Sequence, residues 1–566
     1  MRADREESMG AKAGSTEPKR PFWRSHPWWT WLGGSVLFVA AALAIAVSIA
    51  LQRAEPYVRA RIVSALGAHF HAHVELDKFQ MSLWGGLWAE GKGLEIWPPS
   101  QEGSPATAAG APLIRVAEFR FHAPLHYEPG KPFHIAVMQI RGLDVDLPPK
   151  ERFAHLTGGA AQAGSGAGAL HFDVGTIECT DGHLTLETSK PGKLPLEFAI
   201  ARLKLTNVNL NGPVDFDAEV TNPKPTGTIY TKGTFGPWVV DDPGESALAG
   251  KYRFEHADLA SFRGIAGTLN STGNFSGTLR NITVDGVTET PDFRLTMGGN
   301  AMNLRTRFHA LVNGTDGDTW LQPVDATLGN SHLIAKGKIV RVRAVPPQDG
   351  KPAQPGGHEI ALTVNVDRGR IEDFLQLTTR DPTPLLTGAL ALQTTLEIPP
   401  GPLPVRDRLK LDGTFTLNDA RFTSSKIQDR IDELSQRGEG KTKSSSGLNF
   451  SDVRSTMQGS FQMAAGVITL PNLQYTVPGA EIDLKGTYGV AGGALNFSGK
   501  ARMQATVSQM VGGWKGILLK PVDKFFEHQG AGTVLPVVIE GTRQDPQFGV
   551  DFGGLKKTSP QRDGGP

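Results

Sequence analysis

The sequence predicts a mainly β protein held behind an N-terminal transmembrane helix. Three observations carry that expectation: an uncharged apolar run near the N-terminus, a hydrophobic period that changes from 3.6 to 2 beyond residue 67, and a shortage of helical patterns over the rest of the chain. The order of parts reads as a cytoplasmic leader (1–27), a transmembrane helix (28–51), a stalk helix (52–67), a β-rich body (68–504), an amphipathic helical segment (505–530), closing strands (531–554) and a disordered tail (555–566).

Composition narrows the field first. Of 566 residues, 39% are hydrophobic and 20% charged, and 58 Lys+Arg nearly cancel 57 Asp+Glu. Disorder usually combines low hydrophobicity with high net charge, so this balance argues for a folded body. No basic patch interleaved with aromatics follows the N-terminus, which excludes nucleic acid as an expected partner. Cys179 is the single cysteine, so intrachain disulfides, CxxC redox chemistry and thiolate metal cages are ruled out.

From Trp28 to Leu51 no residue is charged, and the run is long enough at 1.5 Å per residue to cross a hydrocarbon core. It exceeds a signal-peptide apolar region and sits behind a polar leader, so a retained anchor is expected. Trp23, Trp28, Trp29 and Trp31 crowd one end, where indoles favour the headgroup layer. The short leader carries Lys19, Arg20 and Arg24 with no acid after Glu17, which places it in the cytoplasm and the body across the membrane.

In the stalk, Val58, Ile62, Val63 and Leu66 form one helical stripe. Strand alternation follows. Val214, Phe216, Ala218 and Val220 are one set; Leu304, Phe308, Ala310 and Val312 are another; Ile360, Leu362, Val364 and Val366 a third. Leu390, Leu392, Leu396 and Ile398, then Leu409, Leu411, Phe415 and Leu417, behave alike. A loose Gly-Thr/Ser-apolar repeat recurs at irregular spacing, as at Gly175, Gly233, Gly277, Gly413, Gly459 and Gly486, and is expected to mark bends where one strand hands over to the next. Irregular spacing fits an antiparallel meander of roughly 25 strands better than a fixed-period solenoid. Loops are expected at 98–112, 158–168, 345–357 and 437–447, and helices only at 370–377, 426–436 and 507–526.

A sheet with one apolar face must bury it against a second sheet, helices or a ligand. Patterning alone leaves a closed β-sandwich and an open curled trough both standing.

Sites of chemistry are sparse. His69, His71 and His73 share one face of a strand, but no carboxylate or cysteine at ligand spacing follows, so they read as surface histidines and no metal is expected. No H-E-x-x-H, G-x-S-x-G, P-loop or Rossmann motif is present, and the acid pairs Glu372-Asp373 and Asp432-Glu433 read as solvent-facing. A non-enzyme without catalytic residues or cofactor is the expectation. At 507–526, Trp514, Leu518, Phe525 and Phe526 give an amphipathic contact segment, with Lys515, Lys520 and Lys524 beside it.

Several parts in order resemble the AsmA-like family of bacterial envelope proteins. They are the anchor and stalk, AHVELDKFQMSLWGGLWAEGKGLEIW, DLASFRGIAGTLNSTGNFSGTL, the stretch ETPDFRLTMGGNAMNLRTRFHALVNGTDGDTWLQPVDATLGNSHLIAKG, LKGTYGVAGGALNFSGKARM and the closing EGTRQDPQFGVDF. The resemblance implies a single-pass inner-membrane protein with a periplasmic body: a long curved antiparallel sheet forming an apolar groove, with short capping helices. It further implies that the groove binds and conveys phospholipid or other acyl lipid for outer-envelope homeostasis, with outer-membrane or periplasmic proteins as partners. A non-catalytic assembly or scaffold protein with a closed sandwich is the alternative. Under the groove reading the lining residues are Val214, Phe216, Val220, Leu304, Phe308, Val312, Ile360, Leu362, Val364, Val366, Leu390, Leu392, Leu409, Leu411 and Phe415.

Overall fold

The computed structural model describes residues 49, 52–67, 72–82, 87–97, 111–122, 133–147, 172–187, 194–208, 212–239, 242–296, 298–347, 355–379, 381–440, 453–506, 508–509 and 532–550. The expected membrane span apart from Ile49, the four leader and span tryptophans, His69, His71 and the segment 510–531 with Trp514, Leu518, Phe525 and Phe526 lie outside the described residues. Among the described residues no helix is long and apolar enough to cross a membrane.

The body is one long, curved, open sheet of mainly antiparallel strands with few short helices. Twenty-three strands follow one another as ladder neighbours: β1 (His73–Ser82), β2 (Trp88–Trp97), β3 (Ile114–His122), β4 (Phe133–Leu147), β5 (Phe172–Leu186), β6 (Leu196–Val208), β7 (Val214–Pro223), β8 (Thr226–Phe235) and β9 (Ala247–Asp258) come first. β10 (Ile265–Ala266) is a two-residue strand that pairs only with the end of β12. The order resumes with β11 (Thr268–Thr278), β12 (Asn281–Leu295), β13 (Met302–Val312), β14 (Thr319–Leu328), β15 (Ser331–Val342), β16 (Gly357–Arg370), β17 (Leu386–Ile398) and β18 (Lys410–Phe422). It closes with β19 (Ser455–Ala464), β20 (Val467–Val477), β21 (Ala480–Gly489), β22 (Ala494–Met503), β23 (Thr533–Thr542) and β24 (Pro546–Val550). One junction departs from the expected meander. β4 and β5 pair in parallel, because the long connection over 148–171 is enough to return the chain to the same end of the sheet.

Helices sit where they finish an edge. The stalk helix α1 (52–67) runs along the free edge of β1 with the expected stripe inward: Ile62 is buried, and Val58, Val63 and Leu66 pack against the same cluster as Val74, Leu76 and Phe79. Arg59 Nε donates to Leu76 O at 2.8 Å, and Met81 N donates to Glu55 Oε1 at 2.9 Å, so the helix satisfies groups that an edge strand otherwise leaves open to pairing. At one long edge of the sheet lie α2 (Ile371–Gln376) and α4 (Ser425–Gly438); α3 (Val405–Arg408) lies at the other, between β17 and β18. α2 falls one residue short of the expected 370–377 at each end, and α4 extends the expected 426–436 by one residue at its start and two at its end.

Both acid pairs depart from the solvent-facing expectation. Asp373 is buried and accepts from Asn330 N at 3.0 Å and Ser331 Oγ at 2.7 Å. Asp432 is buried and accepts from Gln428 Nε2 at 2.9 Å and Val453 N at 3.2 Å. A buried carboxylate is tolerable only with such donors, and here it ties a helix to a turn far away in sequence. Glu433 does face solvent, beside Arg430 and Arg437.

Candidate functional site: an unbroken apolar face

Residues opposite one another in a ladder project to the same face, so the register can be followed strand by strand. Starting at Met81, the partners are Ala89, Phe121, Met138, Ile177, Leu205 and Phe216 through β7. They continue as Gly233, Gly250, Phe275, Val284, Ala310, Leu321, Gly337 and Leu362 through β16. The row ends with Leu396, Leu411, Met463, Ile468, Tyr488, Leu495 and Gly541 on β23. It contains no charged residue.

A second row, one pleat over, starts at Phe79 and runs through Gly91, Phe119, Ile140, Cys179, Leu203 and Ala218. It goes on through Tyr252, Phe308, Val324 and Val364 to Phe461. Its hydroxyls are tied down: Tyr252 hydrogen-bonds Ser271 Oγ at 3.0 Å, Thr231 donates to Lys251 O at 3.1 Å and Thr394 to Asp412 O at 3.1 Å. Burial pushes the Cys179 thiol and the Tyr252 phenol up, keeping both neutral.

Over β1–β8 the matching row of the opposite face is polar: Gln80, Glu90, Arg120, Gln139, Glu178, Lys204, Asp217 and Lys232 are consecutive partners. Cross-strand ion pairs explain the near-zero net charge, as with Lys232 and Asp217 at 2.6 Å, Lys92 and Glu118 at 2.6 Å, and Arg502 and Asp483 at 2.7 Å. His332 sits between two carboxylates, Nδ1 at 2.7 Å from Asp367 and Nε2 at 3.2 Å from Asp325. The Asp367 hydrogen bond raises its pKa above the usual 6.5, and Asp325 adds to the effect. A folded-state pKa raised above the unfolded one contributes stability that is complete below the unfolded value and is lost as pH rises through the folded value. Proton-detected NMR is expected to give a His332 midpoint above 6.5, and Asp367→Asn should lower it; an unmoved midpoint would contradict the assignment.

Every lining residue expected from the alternation except Leu409 lies on the apolar face. Most are half-buried, among them Val214, Phe216, Leu304, Phe308, Ile360, Leu362, Leu392, Leu411 and Phe415, while their neighbours on most of these strands face solvent. Leu409 stands one residue before β18. Val366 (1% exposed) and Leu390 (6%) are buried, because they lie towards the edge where α2 packs Ile371 and Phe374 onto Leu390, Leu417 and Ala420. At the same edge α4 sets Ile431 and Leu434 against Tyr475, Val477, Ala480 and Met503, and burial pushes the Tyr475 phenol up to about 12. The apolar face is thus dry along one edge over β16–β22 and under the stalk helix over β1–β4, where Phe79, Ala89, Phe119 and Phe121 are buried, and half-covered in the middle at Leu362, Leu392, Leu411 and Phe415. In a closed sandwich the middle would be the driest part.

Sequence reasoning missed the role of the glycines. Gly233, Gly413, Gly459 and Gly486 do not sit at strand handovers; they are in phase with the apolar residues, inside β8, β18, β19 and β21. Space dictates them. A Cβ on Gly250 would stand 2.8 Å from the Phe275 ring, and one on Gly286 2.8 Å from the Phe308 ring, so rings lie flat where the glycines leave room. A recess of about 740 Å³ over β18–β22 is lined by residues of both phases: Phe415, Gly459 and Leu484 from the apolar one, and a larger number from the polar one, such as Gln458, Asp483 and Lys500. The in-phase glycines were the legible signal.

Among the described residues no group of His, Cys, Asp and Glu is arranged to hold a metal; His73 pairs with Glu75 at 3.0 Å on the exposed side of β1. Comparison with family models, with curated proteins and with solved structures finds no match to this chain.

Proposed function

We propose that the chain is a membrane-anchored, AsmA-like envelope protein that binds phospholipid or other acyl lipid along a groove formed by the apolar face and conveys it without catalysis. The observation that carries this reading is the unbroken apolar row across twenty-two strands. At roughly 4.8 Å per strand the row extends for about 105 Å, several acyl chains long. Each methylene moved from water onto such a face gains about 0.8 kcal/mol, and a floor with no charge offers no place where a chain is held much more tightly than at the next. Headgroups remain in water. Residues 28–51 supply the anchor, the leader stays cytoplasmic and the body lies in the periplasm.

The half-covered middle favours a lipid occupant over the scaffold alternative, which needs a dry core. Native mass spectrometry of the purified full-length chain, followed by organic extraction, is expected to show several phospholipids per chain. A chain that carries no more lipid than its membrane anchor binds would refute the reading.

A further inference from the structure

The groove is not equally open along its length. β9 ends at Asp258 on the long edge that also carries α2 and α4, and the chain turns through a short 3-10 segment, Leu259–Ser261, to Gly264. Seven ladder steps further on, β17 ends at Ile398 on the other long edge and leads into α3. On a flat sheet these two points would be some 34 Å apart along the groove and on opposite sides of it. Yet a methyl placed on Gly264 would stand 3.5 Å from Val405 Cγ2 and 3.6 Å from its Cβ. Accumulated twist accounts for the meeting: seven steps of roughly 20–25° turn the strand direction through about 160°, which carries the far edge of β17 round to the near edge of β9.

Each side of this seam is anchored to its own edge. Gly264 O accepts from Thr296 N at 3.1 Å, and Ile265 pairs with Leu295. Across from it, Leu409 N donates to Val405 O at 2.8 Å, and Arg408 holds the loop through Leu403 O at 2.9 Å and through Pro399 O. Gly264 has φ +100, a conformation that side chains other than glycine rarely adopt, so the turn itself calls for glycine, while a methyl there would meet Val405 only at ordinary van der Waals distance. Among the described residues no hydrogen bond or ion pair is recorded between the two loops. The two loops approach without a polar bond, so they part without leaving a polar group unsatisfied.

We propose that Gly264 and Val405 form a clasp that closes the groove over β9–β17 and must part for each lipid that passes. This inference rests on the lipid-groove reading. An acyl chain lies on the floor with its headgroup in water, so it reaches the clasp with a polar group too large to slip under the contact. The clasp makes passage stepwise, and it is set by two loops far from either end of the groove.

The test replaces Val405, the half-buried first residue of α3, with p-benzoylphenylalanine in the full-length chain. Transfer is followed between vesicles of phosphatidylethanolamine and phosphatidylglycerol, using an acyl-labelled phospholipid, and bound lipid is counted by native mass spectrometry. Irradiation is expected to link position 405 to residues 259–266; the linked chain should keep its bound phospholipid and lose transfer, while the unirradiated variant transfers as the parent does. A linked chain that transfers at the unirradiated rate, or a link that maps elsewhere, overturns the clasp and leaves the lipid reading intact. A parent chain that neither binds nor transfers phospholipid overturns both.

Discussion

Leu362→Arg is expected to leave the protein folded and to strip it of bound lipid, whereas Leu417→Arg is expected to unfold the region around it. The two leucines belong to the same face of the same sheet and differ in what covers them. Leu362 is half-buried in the middle of the face, where an arginine keeps its stem on the floor and its head in water, at a cost of about 1 kcal/mol or less. Leu417 is 2% exposed beneath α2 and packs with Leu390 and Ala420, so its replacement buries a charge with no partner, at a cost of roughly 3–5 kcal/mol. Urea unfolding followed by circular dichroism reads the stability of each, and native mass spectrometry reads the lipid. If Leu362→Arg unfolds as readily as Leu417→Arg, the middle of the face is a closed core and the scaffold reading stands. If Leu362→Arg stays folded with its lipid intact, the lipid sits elsewhere.

The phase of the strands was legible because alternation is local: Val214, Phe216 and Val220, or Ile360, Leu362 and Val364, need only the two-residue period to share a face. The stalk helix was legible for the same reason, with Val58, Ile62 and Leu66 one turn apart. Adjacency was not. Nothing in the residues of β4 and β5 distinguishes a parallel pair from a hairpin, since the choice is made by the connection between them. Nor was burial of the helix acids visible, because the donors that stabilise Asp373 and Asp432 come from Asn330, Ser331 and Val453, all distant in the chain. The meeting of Gly264 with Val405 was the least accessible of all, as it depends on twist summed over seven strand pairs.

Asp373→Ala is expected to loosen the sheet locally rather than to melt it as a whole. Asp373 Oδ2 accepts from Asn330 N at 3.0 Å and from Ser331 Oγ at 2.7 Å, and Ser331 Oγ in turn accepts from Arg370 N at 2.9 Å. One carboxylate therefore fastens the β14–β15 turn to the start of α2, whose Phe374 covers Leu390 and Leu417. Removing it takes the acceptor from Asn330 N and leaves the buried Ser331 Oγ only its longer bond to Arg370 O at 3.4 Å, at a cost of about 1–3 kcal/mol. Asp373→Asn keeps one acceptor oxygen and should cost less. How that loss spreads depends on architecture. In a single open sheet each strand packs mainly on its two neighbours, so the chain behaves nearly as a one-dimensional array and stability is held in local units. Hydrogen exchange is expected to quicken at Asn330, Arg370 and the amides of β14–β17, while the ladder from β1 to β6, several strand pairs away, keeps its protection. Uniform acceleration across all strands would show instead that the sheet opens as one cooperative body. A protein of that kind could not part its edges at a single clasp while the rest of the groove held its shape.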